Sequence, residues 1–474
     1  MSSLRDDLSR ALGPDHVIAE GDDLAFYGAD RCRGDWPVAP GLIVLPATIE
    51  EVQAVVRICA AHGVPIVPSG GRTGLTGAAT ATHGEVVLSL TRMSRILEVD
   101  PAARLLRCEA GATVEAAHLA AAEHGLLYPV DFAAKGSAHV GGSIATNAGG
   151  VKVLRYGLTR QWVQGLKVVV ASGECLSLGG ALVKDNTGYD LRQLFIGAEG
   201  TLGIVVEATL RLCAPPAGRV VALCAVPDEE RVLELFARVQ ASGLVLQAFE
   251  CFDAGCLRRV LEHRGRDGAG PFDPPSPQHA LLEVEVPQPG PQAHEATTDA
   301  LAEQLADAQD AGTITDAVLA STEAQARELW ALREDTSESL HRHRPHKSDV
   351  SVPVAALPRF LAAWRQRVAA ELPGVEAVVF GHIGDGNLHL NLLQPADEDP
   401  TSFQARCKAF DARSYALVHD FHGSVSAEHG IGLLKRDHLH FSRSPTELQM
   451  MRAIKHALDP QGLFNPGKML PDPQ

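Results

Sequence analysis

Two histidines, His382 and His389, stand seven residues apart in the stretch GHIGDGNLHLN (381–391), on either side of a Gly-Asp-Gly break. Imidazoles so placed can ligate a metal or move a proton near neutral pH. A helix would put positions seven apart on one face, but Gly384 and Gly386 each cost roughly 1 kcal/mol in a helix interior. An unbroken strand alternates with period two and would send them to opposite faces. The two rings converge only if the glycines turn the chain between them, and His389 then shares a strand face with Asn391. A turn histidine and an unrelated core histidine are the bland alternative.

Two glycine-rich loops offer a second chemistry. PSGGRTGLTG (68–77) follows a predicted strand, yet no Gly-Lys-Ser/Thr closes it as a phosphate-binding Walker loop. The G-x-G-x-x-G spacing of a Rossmann turn is also missing, and the loop leads into a strand, EVVLSL, where that fold needs a helix. What remains is a backbone nest for an anion, unobstructed at Gly70, Gly71, Gly74 and Gly77. GSAHVGGSIATNAGG (136–150) carries five glycines among small polar residues, a composition suited to close approach by a large flat ligand. Two such loops suggest a dinucleotide lying along both.

The elements that must position these residues are alternately strand and helix. Residues 41–77 read as strand, helix, strand and glycine loop, with Thr48 and Glu51 as a capping signature and Gly63 as the stop. Short strands follow in EVVLSL, RLLRCEAG, LKVVVASGECLSL and GIVVEATLRL, and TVEAAHLAAAEHGL is a helix, which makes an α+β domain over 1–215. A second domain over 216–420 combines an antiparallel sheet with helices on one side, and GRDGAGPFDPPSPQ is expected as an exposed loop. The segment 421–474 lacks the apolar surface for its own core and must pack on an earlier domain.

Composition bounds the partners. Hydrophobic residues make up 45% of the 474 and the mean hydropathy is zero, as in a globular chain of two or three domains. Against 58 acidic side chains stand 42 basic ones, a net charge of −16 at pH 7 that argues against nucleic acid and anionic membranes. The nine cysteines include no Cys-x-x-Cys pair, and no apolar run is long enough to span a membrane. The expected compartment is the cytoplasm.

In this order, PSGGRTGLTG, DFAAKGSAHVGGSIATNAGG, LVKDNTGYDLRQLFIGAEGTLGIV, GHIGDGNLHLN, SAEHGIG and LDPQGLFNPGKML resemble the FAD-linked oxidases of the vanillyl-alcohol-oxidase type. The likeness is strongest to the D-2-hydroxyglutarate dehydrogenases, with their D-lactate dehydrogenase and glycolate oxidase relatives. It implies an FAD-binding domain of two α+β subdomains, a substrate-binding cap and a C-terminal segment returning to the FAD domain. Position by position, Pro68, Gly70, Gly71, Thr73, Gly74 and Leu75 look like the pyrophosphate cradle, with Arg72 where many relatives carry asparagine. Gly136, Ser137, Gly142, Thr146, Asn147 and Gly150 look like the second FAD loop, with Gly203, Ile204 and Asn465 beside them. PSGGRTG offers no histidine or cysteine for covalent attachment, so noncovalent FAD is expected, although His139 lies in the second loop.

The resemblance also supplies a third metal ligand, Glu428, to join His382 and His389, and makes His429 the catalytic base. Zinc suits such a set, with manganese or iron as rivals. WALREDTSESL and HKSDVSVP resemble substrate segments, so Arg333 and Lys347 would grip carboxylates while Ser337 and Asn391 add neutral hydrogen bonds. The implied reaction is FAD-dependent, metal-assisted oxidation of a D-2-hydroxy acid, D-2-hydroxyglutarate first, with D-lactate and D-malate as rivals. Electrons would pass to an acceptor such as an electron-transfer flavoprotein, and a homodimer is left open. A zinc hydrolase or a non-catalytic flavoprotein subunit are the readings from other classes.

Overall fold

The computed structural model describes residues 2–32, 36–266, 268 and 270–471. The chain divides into two compact units, one of Met1–Gly150, Gly157–Pro215 and Glu428–Gln474, the other of Val151–Tyr156 and Pro216–Ala427.

In the first unit, strands β1 (Val17–Ile18), β2 (Leu42–Val44), β3 (Ile66–Ser69) and β4 (Val86–Ser89) form a sheet ordered β1-β2-β4-β3, in which β2, β4 and β3 are parallel. The crossover from β2 to β3 is the helix Ile49–His62, which buries Val52, Val55, Val56 and Cys59, one stripe at helical spacing. Thr48 caps it by accepting the Glu51 N–H, and Gly63 ends it in the left-handed region at φ 64°. The Glu51 carboxylate accepts from Ala47 N at 2.7 Å, one residue earlier than a reciprocal capping box requires. A second sheet, antiparallel, holds β5 (Ile96–Asp100), β6 (Leu105–Glu109), β7 (Val163–Val169), β8 (Cys175–Gly179) and β9 (Ile204–Arg211) in the order β5-β6-β9-β7-β8. LKVVVASGECLSL is thus a hairpin of two strands. The C-terminal segment closes on β3: Leu463 O accepts from Ile66 N, and Asn465 N donates to Ile66 O.

The second unit is built on one antiparallel sheet of β10 (Gly218–Val226), β11 (Leu246–Asp253), β12 (Gln278–Val286), β13 (Asp316–Leu319), β14 (His346–Ser351), β15 (Glu376–His382) and β16 (Asn387–Leu393), ordered β13-β10-β12-β11-β15-β16-β14. Helices cover both of its faces, not one as the sequence suggested. Every residue of β11 is buried, so each face of that strand needs a covering layer. On one face Phe252, Val378 and Phe380 pack with Leu257, Val260 and Leu261 of the helix Ala254–His263 and with Leu329 and Trp330 of the helix Glu323–Glu334. On the other, Phe236 of the helix Glu229–Ala241 meets Phe249 with ring centroids 5.0 Å apart. The Pro/Gly-rich loop after residue 264 is exposed over most of its described residues, as expected, and is anchored at two points: Phe272 is buried 6.0 Å from the His279 ring, and Ser276 donates to Val226 O at 2.9 Å. Asp267 and Ala269 of that loop lie outside the described residues.

Candidate active site

The turn between the two histidines is a hairpin. β15 ends at His382, a 3-10 turn covers Ile383–Asp385, and Gly386 at φ 83° starts the return into β16. Directly opposed residues of antiparallel strands point to the same face. His382 opposes Asn387 and His389 lies two residues further on, so the rings of His382 and His389 share a face, 5.5 Å apart and nearly perpendicular at 83°. A Cβ at Gly381 would fall 2.2 Å from Asn387 O, and one at Gly386 would fall 2.3 Å from Val352 O, so the turn tolerates no side chain at either position. Across β14 the same face continues through Asp349 opposite His389 and Lys347 opposite Asn391.

Two carboxylates stand behind these histidines, and sequence reasoning singled out neither. Glu250, 1% exposed in β11, lies directly opposite His382, with Oε1 2.7 Å from His382 Nδ1. Arg333, at the end of the helix Glu323–Glu334, brings Nη2 to 2.8 Å from Glu250 Oε2, an ion pair whose angles fall short of a hydrogen bond, and its guanidinium lies 4.6 Å over the Phe380 ring. Burial by itself would raise the Glu250 carboxyl, but the neighbouring His382 and Arg333 charges hold it below the usual carboxylate range. Asp349, 2% exposed, accepts from Asn387 Nδ2 at 2.8 Å and from Ala427 N at 3.1 Å, with His389 Nδ1 4.0 Å away. Ala427 ends the second unit, so the chain enters Glu428 one peptide after this anchor. Asn391 is buried and donates to His389 O at 3.1 Å. Ser337 is exposed on the short helix Thr336–His341, and Lys347 is exposed on β14.

In the first unit the two glycine loops abut. The first leaves the carboxyl end of β3, where ligands of parallel sheets bind. A Cβ at Gly71 would sit 1.9 Å from Ser137 O, and one at Gly70 3.3 Å from the His139 Cβ. Gly142, in the helix Val140–Thr146, faces open space, Thr146 donates to Gly142 O at 3.0 Å, and Asn147 ends the helix at φ 51° while accepting from Arg160 N at 2.9 Å. At Gly150 a Cβ would meet Asp131 O at 2.2 Å. Arg72 adopts φ 56° with its guanidinium 4.3 Å over Phe26 and 4.7 Å over Tyr27. Gly203, where a Cβ would fall 2.9 Å from the Val168 side chain, directly precedes Ile204, which opens β9 opposite Val169. The amide of Asn465 donates to Ala78 O at 2.9 Å and Glu199 O at 2.8 Å, and accepts from Lys468 at 2.6 Å.

The SAEHGIG turn is fastened to the first glycine loop. Thr76 donates to His429 O at 3.4 Å and its carbonyl accepts from Leu433 N at 2.9 Å, while the buried Glu199 carboxylate accepts from Ile431 N and Gly432 N, both at 2.7 Å. Burial pushes the Glu199 carboxyl up. His429 Nε2 lies 3.5 Å from Glu428 Oε1. His139, with Nδ1 buried and unpartnered among the described residues, is pushed down to about 4 by burial, with Arg72 adding to the effect.

Comparison with known proteins decides the family. Residues 215–469 match the family of FAD linked oxidases, C-terminal domain, and residues 40–179 match an FAD binding domain. The chain belongs to the FAD-linked oxidases. Among its relatives are a D-2-hydroxyglutarate dehydrogenase of Xanthomonas citri pv. viticola, 47% identical across 98% of this chain and 96% of the relative, and one of Stutzerimonas stutzeri, 45% identical across 98% of each. A mitochondrial D-2-hydroxyglutarate dehydrogenase of Bos taurus is 40% identical across 97% of this chain and 82% of the relative. A solved p-cresol methylhydroxylase with substrate bound shares the fold at TM-score 0.79 and 18% identity, covering 99% of this chain and 97% of its own. Alkyldihydroxyacetonephosphate synthase does so at TM-score 0.74 and 18% identity, over 98% and 86%.

This FAD-dependent oxidoreductase has residues that fit its cofactor. The loops meet backbone to backbone at Gly71 and Ser137, open space stands over Gly142, and Ser69 Oγ and His139 Nδ1 are buried polar atoms without protein partners among the described residues. The donor set of the second unit, two imidazoles on one face with carboxylates behind them, suits a divalent cation. Among the described residues no helix is long and apolar enough to cross a membrane. Glu250 carried a signal that could have exposed it: a carboxylate inside the apolar run LQAFECFD must find a partner when buried.

Proposed function

We propose that this FAD-linked oxidase converts D-2-hydroxyglutarate to the 2-oxo acid. The observation that carries the reading is the 47% and 45% identity, over 98% of the chain, to enzymes named for that substrate. Bound FAD supplies the acceptor for the hydride leaving the substrate's α-carbon. The cradle of Pro68, Gly70, Gly71, Arg72, Thr73, Gly74 and Leu75, with Gly136, Ser137, Gly142, Thr146, Asn147, Gly150, Gly203, Ile204 and Asn465, would hold it without a covalent bond.

His382, His389 and Glu428 would hold a divalent metal, zinc by donor type, whose contribution is Lewis-acid polarisation of an alcohol. The shared face of the two histidines supports this, as does the Asp349 anchor on Ala427 directly before Glu428. Lys347 and Arg333, the latter already ion-paired with Glu250, are the cations assigned to the two carboxylates of a diacid, and Asn391, opposite Lys347, adds an amide, with Ser337 a further hydroxyl. The imidazole of His429 takes the hydroxyl proton. Nine cysteines, none in a disulfide, fit work in a reducing cytoplasm, with an electron-transfer flavoprotein as acceptor.

The test is anaerobic mixing with D- and L-2-hydroxy acids while the flavin band is followed. D-2-hydroxyglutarate should bleach the flavin with a higher kcat/KM than D-lactate, because only a diacid brings a second carboxylate to these cations. Comparable values for the two acids would remove the two-cation assignment, and no bleaching by any of them would remove the function.

A further inference from the structure

A carboxylate buried in an apolar strand is costly unless it is paired and serves something that requires its charge. Glu250 lies between Phe249 and Cys251 in a strand buried along its whole length, and its two oxygens are divided between two partners. Oε1 meets His382 Nδ1 at 2.7 Å, and Oε2 meets Arg333 Nη2 at 2.8 Å.

We propose that Glu250 is a positioning residue for His382: Oε1 accepts the Nδ1 proton, which leaves the lone pair on Nε2 and fixes the ring plane, so that Nε2 is presented to a divalent cation. The inference rests on the ligand role given to His382 above and goes beyond it by assigning the group that orients the ligand. Glu250 and His382 are directly opposed on adjacent strands, so the carboxylate reaches the ring from within the sheet and not from a loop. Arg333 takes the other oxygen and is itself held over Phe380, so the carboxylate is charge-balanced and turned away from acting as a ligand in its own right. A carboxylate on the far nitrogen also raises the basicity of the ligating one. The rival role is structural, with Glu250 serving only to neutralise buried Arg333.

Zinc affinity separates the two. Full-length, FAD-loaded protein stripped of metal is titrated with zinc ions against a chromophoric chelator, for the wild type, Glu250→Gln, Glu250→Ala, His382→Ala and the double variant Glu250→Gln/His382→Ala. Glu250→Gln keeps the volume and an acceptor oxygen, so it carries the test if Glu250→Ala fails to fold, and its flavin spectrum and melting temperature report folding. The expected loss is roughly 10-fold for Glu250→Gln and up to about 100-fold for Glu250→Ala, with no further loss from Glu250→Gln once His382 is alanine. Wild-type affinity in both Glu250 variants, with His382→Ala impaired, overturns the positioning role and leaves the ligand role standing. An equal loss from Glu250→Gln with and without His382 assigns the effect to Arg333 and also overturns it. Wild-type affinity in His382→Ala overturns the ligand role and the positioning role together.

Discussion

At the residue scale, the neighbours Glu428 and His429 offer a controlled comparison. Thr76 holds the backbone of His429 and Glu199 holds the two N–H groups that follow Gly430, so the turn is fixed by its main chain and either side chain can be removed with little effect on its path. A general base acts on a proton that moves only in the transition state and contributes roughly 10²–10⁴-fold to rate. A metal ligand also helps to hold the ground state. His429→Ala should therefore slow limiting flavin reduction by about 10²-fold or more with little change in substrate dissociation constant, whereas Glu428→Ala should worsen both. Stopped-flow reduction over a range of substrate concentrations separates the two quantities. Near wild-type reduction by His429→Ala would place the base elsewhere.

At the scale of elements, the cofactor site depends on two loops lying closer than side chains allow. A Cβ at Gly71 would lie 1.9 Å from Ser137 O, a backbone atom that cannot rotate away. Gly71→Ala must push the loop after β3 away from the segment before the helix Val140–Thr146. The sheets beneath are untouched, because the core of the first unit lies in strands such as β3, β4 and β9 and in the helix Ile49–His62. The expected outcome is FAD affinity weakened by at least about tenfold, equivalent to about 1.4 kcal/mol, with far-ultraviolet circular dichroism unchanged. Flavin fluorescence on dilution measures the dissociation. Wild-type retention of FAD would mean that the loops separate freely and that their contact plays no part in binding.

On the scale of the whole molecule, each unit keeps a histidine buried and neutral outside the proposed metal site. His139 is 8% exposed in the first and His279 1% exposed in the second, and burial pushes both down to about 4. The folded state therefore resists a proton that the unfolded chain accepts below about pH 6.5. The stability each contributes is fully present above that pH and is lost as the pH falls towards 4, by roughly 3 kcal/mol per residue. His279 lies stacked on Phe252, with centroids 5.2 Å apart and planes at 13°, so phenylalanine fits its place. Between pH 7 and pH 4, His279→Phe should lose roughly 3 kcal/mol less stability than the wild type, read from denaturant midpoints at the two pH values. An unchanged acid dependence would show that His279 is not a source of it.

The sequence by itself determined what is local. Thr48 and Gly63 set the ends of a helix, and short apolar runs marked the strands of both units. The period-two rule together with the Gly-Asp-Gly break required a reversal if His382 and His389 were to share a face, and the hairpin supplies it. The order of long motifs was enough to identify the FAD-linked oxidases, because glycine loops that approach a ligand by backbone leave their mark in composition. Tertiary structure alone decided the pairings. Glu250 lies 132 positions before His382 and, taken alone, is only a charge in an apolar run. Asp349 gives no hint in HKSDVS that it holds Ala427, and strand patterns could not tell that the second sheet is covered on both faces, since an apolar run buried on two sides has no alternation to read. The physical reason is the same in each case: burying a charge or a second sheet face is favourable only with a partner, and the partner comes from a distant part of the chain that folding alone brings near.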